Sequence, residues 1–244
     1  MVSSNGKLRV AATADVHYGK QSKGKLQEMF DVVSREADVL LMCGDLTDYG
    51  LSEEAELLAA DIRAHLRIPV LAVLGNHDFE SGHPEAVTKV MEAAGVRMLD
   101  GEAAEIGGVG FAGVCGFGGG FGRRMLNAWG EPLIKSFVQE AIDQALRLEQ
   151  ALTQLTGDRR IVLLHYAPIS GTVEGEAPEI FPFLGSTRLE EPINRFRVSA
   201  VFHGHAHNGT AESATMSQIP VFNVAVPLLQ RDNAAQQPFR VFEL

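Results

Sequence analysis

The sequence predicts an α/β protein, with a parallel sheet in its first half and more β-strand in its second. Three observations carry this. From Leu8 to Leu74 short apolar runs alternate with helical patterns, the signature of parallel strands joined by right-handed crossovers. Each of those runs ends in Asp, Asn or His, and open α/β sheets gather functional groups beyond the carboxyl ends of their strands. From Val96 onward the pattern breaks into short apolar pieces separated by glycine.

Leu8 to Ala14 reads as a buried strand that delivers Asp15-Val16-His17. After a loop rich in Gly, Lys and Gln, a helix is expected from about Leu26 to Glu36. Val39 to Cys43 is a second strand, closed by Gly44-Asp45-Leu46-Thr47-Asp48-Tyr49-Gly50. Ser52 is the expected N-cap of the next helix, with Glu53 and Glu54 in the first turn, where the helix dipole favours acids. Leu58, Ile62 and Leu66, four apart, give that helix one buried face. Pro69 opens a third strand, Val70 to Leu74, ending at Gly75-Asn76-His77-Asp78, and a helix follows from Pro84 to Ala94. Tyr18 and Lys20 are expected near the mouth of the site that these strand ends form.

Val109 to Cys115 is a further apolar run. Gly108-Val109-Gly110-Phe111-Ala112-Gly113 fits G-x-G-x-x-G, but more glycines follow where dinucleotide binding requires a helix, so the match is set aside. The stretch Gly116 to Arg124 is expected to be a flexible surface loop; its functional alternative is a mobile rim whose Arg123 and Arg124 meet substrate phosphate. Glu131-Pro132 opens the longest helix, which carries Ile134, Phe137, Val138, Ala141, Ala145, Leu148, Leu152 and Leu155 as a core stripe. Ile161 to Leu164 then delivers His165, and Val198 to Phe202 delivers His203, His205 and His207. Strand-like runs recur at Ile219 to Val224 and Phe239 to Phe242. No linker or repeat interrupts residues 1–244, so a single domain is expected.

Apolar residues make up 45% and charged residues 21%, the balance of an ordinary globular enzyme. The formal charge of -10 argues against general nucleic-acid binding, which needs clustered Lys and Arg at the phosphates. A small anionic substrate stays compatible if bound cations reverse the local field. Cys43 and Cys115 lie inside apolar runs and are expected to be buried free thiols, as in a reducing compartment. No apolar stretch has membrane-spanning length and the start of the chain does not read as a signal peptide, so a cytoplasmic protein without a membrane partner is expected.

The polar strand ends, in order, are Asp15-x-His17, Gly44-Asp45, Gly75-Asn76-His77-Asp78, His165 and Gly204-His205-x-His207. This mixed nitrogen and oxygen set, without cysteine, suits Mn, Fe, Zn or Co rather than a thiolate zinc site. Seven or eight ligands are too many for one ion with an open position and suit two metals.

That ordered set resembles the calcineurin-like metallophosphoesterase superfamily, whose pattern is D-x-H, GD, GNH[D/E], H, GHxH. All five elements stand in order between Asp15 and His207. The resemblance implies a four-layer α/β/β/α sandwich, two mixed sheets flanked by helices. It implies two divalent metal ions, manganese first, with iron, zinc or cobalt as alternatives. Asp15, His17, Asp45 and His207 would hold one metal; Asp45 would bridge, and Asn76, His165 and His205 would complete the other. A metal-bound hydroxide would attack phosphorus in line, with Asn76 and His77 meeting the phosphate. His77 would be the general acid, oriented by Asp48. His203 would stand behind the ligands.

One departure matters: protein phosphatases of the superfamily have an Arg after the second Asp, where this chain has Tyr49. The Gly-Asn-His-Asp form looks more like the bacterial branch with class III cyclic-nucleotide phosphodiesterases. A phosphodiesterase of small diesters, cyclic nucleotides among them, is therefore the expectation. A nucleotide pyrophosphatase or phosphomonoesterase is the alternative on the same centre, and a non-catalytic protein-binding scaffold the reading from another class.

Overall fold

The computed structural model describes residues 7–232 and 237–244. Its first sheet has the order β11-β1-β2-β3-β4, formed by Arg240–Glu243, Arg9–Thr13, Val39–Cys43, Val70–Val73 and Val96–Met98. Here β1 to β4 run parallel and β11 joins β1 antiparallel. The second sheet has the order β5-β6-β7-β8-β10-β9, formed by Glu102–Ile106, Val109–Gly113, Arg160–Leu163, Ala200–His203, Pro220–Asn223 and Glu212–Ala214. Its four central strands are parallel and both edge strands antiparallel.

The unbroken apolar runs follow from burial on both faces. In β2, Leu40 and Met42 pack under α1 (Gln27–Glu36), α2 (Ser52–His65) and α3 (Pro84–Ala93). The alternate residues Val39, Leu41 and Cys43 face the second sheet and meet Phe111, Leu163 and Phe202. On the far side, Ala112, Val162 and Val201 pack against α4 (Pro132–Thr153) and α6 (Glu190–Arg195). Three apolar interfaces thus separate four layers, the implied sandwich.

Boundaries differ where side chains compete for backbone amides. Ser52 is the first helical residue of α2 rather than its cap; no side chain caps Leu51, and Glu54 instead accepts from the Tyr49 amide at 2.8 Å. The stripe of α4 is buried from Val138 onward, while Leu133 and Ile134 in its first turn are exposed. The edge strand β9, the short helix α5 (Phe181–Leu184) and α7 (Val226–Asp232) carry too few periodic residues to be read from sequence. Both cysteines are buried and free.

The start of the first sheet is locked by an ion pair. Arg9 donates to Asp38 from its backbone N at 2.9 Å, from Nε at 3.2 Å and from Nη2 at 3.0 Å. The Arg9 guanidinium holds the Asp38 carboxyl below its ordinary value. A depressed folded pKa contributes stability above the ordinary carboxyl range and loses it as pH falls through the folded value. Asp38→Asn is expected to cost about 1 kcal/mol at pH 7 and nothing at about pH 2, read from urea melts at the two pH values.

Candidate metal centre

The carboxyl ends of β1, β2 and β3 in one sheet and of β7 and β8 in the other meet along a single edge. Main-chain bonds join the loops that leave them. The Asp15 amide donates to the Gly44 carbonyl and the His17 amide to the Asp45 carbonyl, both at 3.0 Å, and the Gly204 amide donates to the His165 carbonyl at 3.1 Å. The approach is close enough that three glycines have no room for a side chain. A Cβ on Gly44 would enter the His165 ring, one on Gly75 would strike the Asp45 amide and carboxylate, and one on Gly204 would strike Asp15. Gly44 also adopts a φ of +86°.

Six non-glycine residues among those described have positive φ, and four of them are Asp15, His17, Asp45 and His205. Such backbone costs on the order of 1–3 kcal/mol each and persists only where the surroundings fix it. The result is a cradle of donors. Asp15, His17 and His207 offer ligand atoms within 4.8 Å of one another, as do His17, Asp45 and His77, and as do Asp45, His165 and His205. Asn76 Oδ1 joins the last group, 2.8 Å from His165 Nε2. Asp45 spans the groups, with Oδ2 3.7 Å from His17 Nε2 and Oδ1 3.4 Å from His165 Nε2.

The histidines are aimed by backbone. His165 Nδ1 donates to the Cys43 carbonyl at 3.1 Å, His205 Nε2 to the Phe183 carbonyl at 3.1 Å and His77 Nδ1 to the Asp48 carbonyl at 2.7 Å. Each bond fixes a tautomer and leaves the other ring nitrogen free to act as a ligand or to face substrate. Burial holds His205 neutral, with its pKa lowered to about 3. Burial raises the Asp15 carboxyl, but the His207 hydrogen bond and the His165 charge outweigh it, and its pKa lies below the ordinary range. Burial lowers His77, and the Asp48 carbonyl with the charges of Asp45 and Glu80 reverses that to a net rise.

Two cations fit this donor set. His17 Nε2 is buried without a hydrogen-bond partner, the state of a ligand atom reserved for a metal. The imidazoles and the carboxylates present nitrogen and oxygen alone, as expected for Mn, Fe, Zn or Co.

The sequence profile of the calcineurin-like phosphoesterases matches residues 8–209. The chain belongs to that family. Among solved structures, the phosphopantetheinyl hydrolase PptH from Mycobacterium tuberculosis superposes with a TM-score of 0.69 at 14% identity, covering 96% of this chain and 95% of that one. TT1561 of Thermus thermophilus superposes with a TM-score of 0.61 at 16% identity, covering 96% and 98%. No protein with a curated description matches the sequence. The family and the His/Asp groups together support a metal-dependent phosphoesterase, a hydrolase of phosphoesters. Among the described residues, no helix is long and apolar enough to cross a membrane.

In this calcineurin-like phosphoesterase two neighbours of the motifs, Asp48 and Tyr18, have a different place from the one expected. Asp48 meets His77 through its main-chain carbonyl; its carboxylate faces His17 Nδ1 instead, at 3.7 Å. Tyr18 does not reach the mouth: it is fully buried and its hydroxyl bonds to Asp61. His203 is buried between Thr172 Oγ1 and the Gly204 carbonyl, 2.8 Å from each, and burial lowers its pKa to about 4. It supports the loop and stands outside the donor groups. His83 lies on the surface beside Glu85.

The glycine-rich stretch is no exposed loop over Gly118 to Gly120, which are buried. The Gly119 amide donates to the Pro182 carbonyl at 2.6 Å and Gly120 to Gly185 at 2.8 Å. It supports the segment whose Phe183 carbonyl orients His205, while Arg123 and Arg124 are exposed.

Three residues passed unremarked in the sequence. Asn223 donates to the Ala206 carbonyl at 2.7 Å and pins the last histidine loop. The Tyr166 ring lies 4.5 Å from that of His205 and 5.4 Å from that of His165. Gln144 accepts from the Gly116 amide at 3.1 Å. Only Tyr166, adjacent to His165, had a signal that could have found it.

Proposed function

We propose that the chain is a dinuclear metal-dependent phosphodiesterase of small diesters, cyclic nucleotides among them, working as one domain in the cytoplasm. Asp15, His17, Asp45 and His207 would hold one divalent cation, and Asp45, Asn76, His165 and His205 the other. Manganese is the first choice, with iron, zinc or cobalt as alternatives. When bound, such a pair supplies an activated water and neutralises phosphate charge. The observation that carries the reading is Asp45, shared between two donor groups with one carboxylate oxygen toward each.

The chain's own residues supply the rest. Asn76 and His77 follow the end of β3 together, so a bound phosphate would have an amide and an imidazole within reach. His77 Nδ1 is committed to the Asp48 carbonyl, which leaves Nε2 to give a proton to the departing oxygen. The Asp45 carboxylate accepts from the His77 amide at 2.8 Å, tying the proton donor to the shared ligand.

The test is a substrate panel on chelator-stripped protein reloaded with Mn²⁺. It comprises bis(4-nitrophenyl) phosphate, 4-nitrophenyl phosphate, cyclic AMP, a dinucleoside polyphosphate and, prompted by the PptH likeness, a phosphopantetheinyl ester. Diesters are expected to be cleaved faster than the monoester, with activity lost on chelation and restored by metal. A faster monoester or polyphosphate would replace this reading by the phosphomonoesterase or pyrophosphatase one. No cleavage with Mn²⁺, Fe²⁺, Zn²⁺ or Co²⁺ would leave the scaffold reading.

A further inference from the structure

Beside the candidate centre lies a cavity of about 630 Å³, large enough for an organic group of drug-like size. It shares Asn76 with the metal-ligand set, and Tyr166, which lines it, packs its ring against His205. The opening therefore adjoins the place where a phosphate would be held, within reach of one of its substituents. The inner walls are apolar, with Leu74, Met98 and Leu99 among them, and three aromatic rings line the space: Phe79, Phe117 and Tyr166. The Phe117 and Tyr166 rings stand 5.8 Å apart and tilted, two adjoining faces of one wall.

The charge of the lining is one-sided. Arg147 is its sole cation, and it is occupied by Asp100, with Nη1 3.2 Å from Oδ1 and 3.3 Å from Oδ2. Glu92, Glu102 and Glu140 also line the cavity, and none of them forms an ion pair among the described residues. Glu140 accepts one hydrogen bond, from Gln144 Nε2 at 2.9 Å, and Gln144 is itself anchored on the Gly116 amide. The Glu140 carboxylate is thus held in place without being neutralised. A second phosphate or a carboxylate entering here would meet three acids and no free cation. An alkylammonium group would meet aromatic faces and unpaired carboxylates, the two surroundings that favour it.

We infer that this cavity is a specificity pocket for one ester arm of the substrate, an apolar arm carrying a positively charged amine. The inference rests on the phosphodiesterase reading above and narrows it, away from cyclic nucleotides as well as from dinucleotide and polyphosphate substrates.

Monoesters of phosphate test it, because each brings a single arm to the centre. The inhibition constants of choline phosphate, of its uncharged isostere 3,3-dimethylbutyl phosphate and of the phosphate ester of 4-hydroxybutyrate are measured against bis(4-nitrophenyl) phosphate hydrolysis. Choline phosphate is expected to bind about three- to thirty-fold more tightly than the isostere, and the carboxylate-bearing ester more weakly than either. In the triple variant Glu92→Gln, Glu102→Gln, Glu140→Gln the choline-to-isostere ratio is expected to fall to within about twofold; a ratio taken within one protein cancels general effects on folding or metal content. Equal or weaker binding of choline phosphate in the native protein overturns the inference. So does a preference that survives undiminished in the triple variant. If no phosphoester is cleaved the phosphodiesterase reading fails first, whereas cleavage with a flat inhibitor ranking removes the pocket assignment alone.

Discussion

Replacing His77 by alanine is expected to lower kcat by about two to four decades while both metals stay bound. His77 Nδ1 donates to a backbone carbonyl and its ring stands edge-on to His17, with centroids 4.4 Å apart. It is therefore rigidly placed without spending its second nitrogen. The expectation has an internal control in the leaving group. The loss should be largest for alkoxide leaving groups, which need a proton, and smallest for 4-nitrophenolate, which does not. His77 also stands in a donor group with His17 and Asp45, so elemental analysis has to accompany the kinetics. One metal missing from His77→Ala would make it a ligand and not the acid.

The second large effect is expected at Asp78, which belongs to the Gly-Asn-His-Asp stretch but to none of the donor groups. Its carboxylate is fully buried and accepts from the Leu46 amide at 3.1 Å, the Thr47 amide and hydroxyl at 2.8 and 2.6 Å, and the Gly75 amide at 2.8 Å. Burial pushes the carboxyl up to about 6, against the lowering by these donors. It clamps the loop carrying Asp45 to the loop carrying Asn76 and His77. Asp78→Asn would set an amide NH₂ either against the Leu46 and Gly75 N–H groups or against the Thr47 N–H, depending on which oxygen it replaces. We expect a stability loss of about 2–4 kcal/mol in denaturant melts, together with weaker metal retention. A variant that keeps full stability and metal content would show that the clamp is dispensable.

Much of this was legible in the chain. The strands ending at Asp15, Asp45 and His77 read correctly because doubly buried strands are unbroken apolar runs and the polar residue that stops each run is the one at the sheet edge. The spacing Gly204-His205-x-His207 likewise marked two histidines for the same edge. Asp48 was legible as a partner of His77, but not the atom involved. Hydrogen bonds to carbonyls leave no trace in residue identity, and the bonds that aim His77, His165 and His205 all run to carbonyls. The glycines of 116–120 pointed to a loop, whereas Gly118 against Pro182 and Gly119 against Ser186 are packed too closely to admit a side chain. Tyr18 misled because its neighbour His17 turns at positive φ, and the chain after it dives into the core.

The left-handed backbone at Asp15 and Asp45 changes what a substitution there can mean. Alanine at either position would remove the carboxylate and also place a residue with poor tolerance for φ near +50° at the hinge of a ligand loop. Two perturbations would then be read as one. Asparagine accepts that conformation and is nearly the same shape, so it leaves the backbone in place while withdrawing the charge and one acceptor oxygen. The difference between the Asn and Ala variants at one position is thus a direct measure of how much of the site's geometry is held by its backbone and how much by its metals.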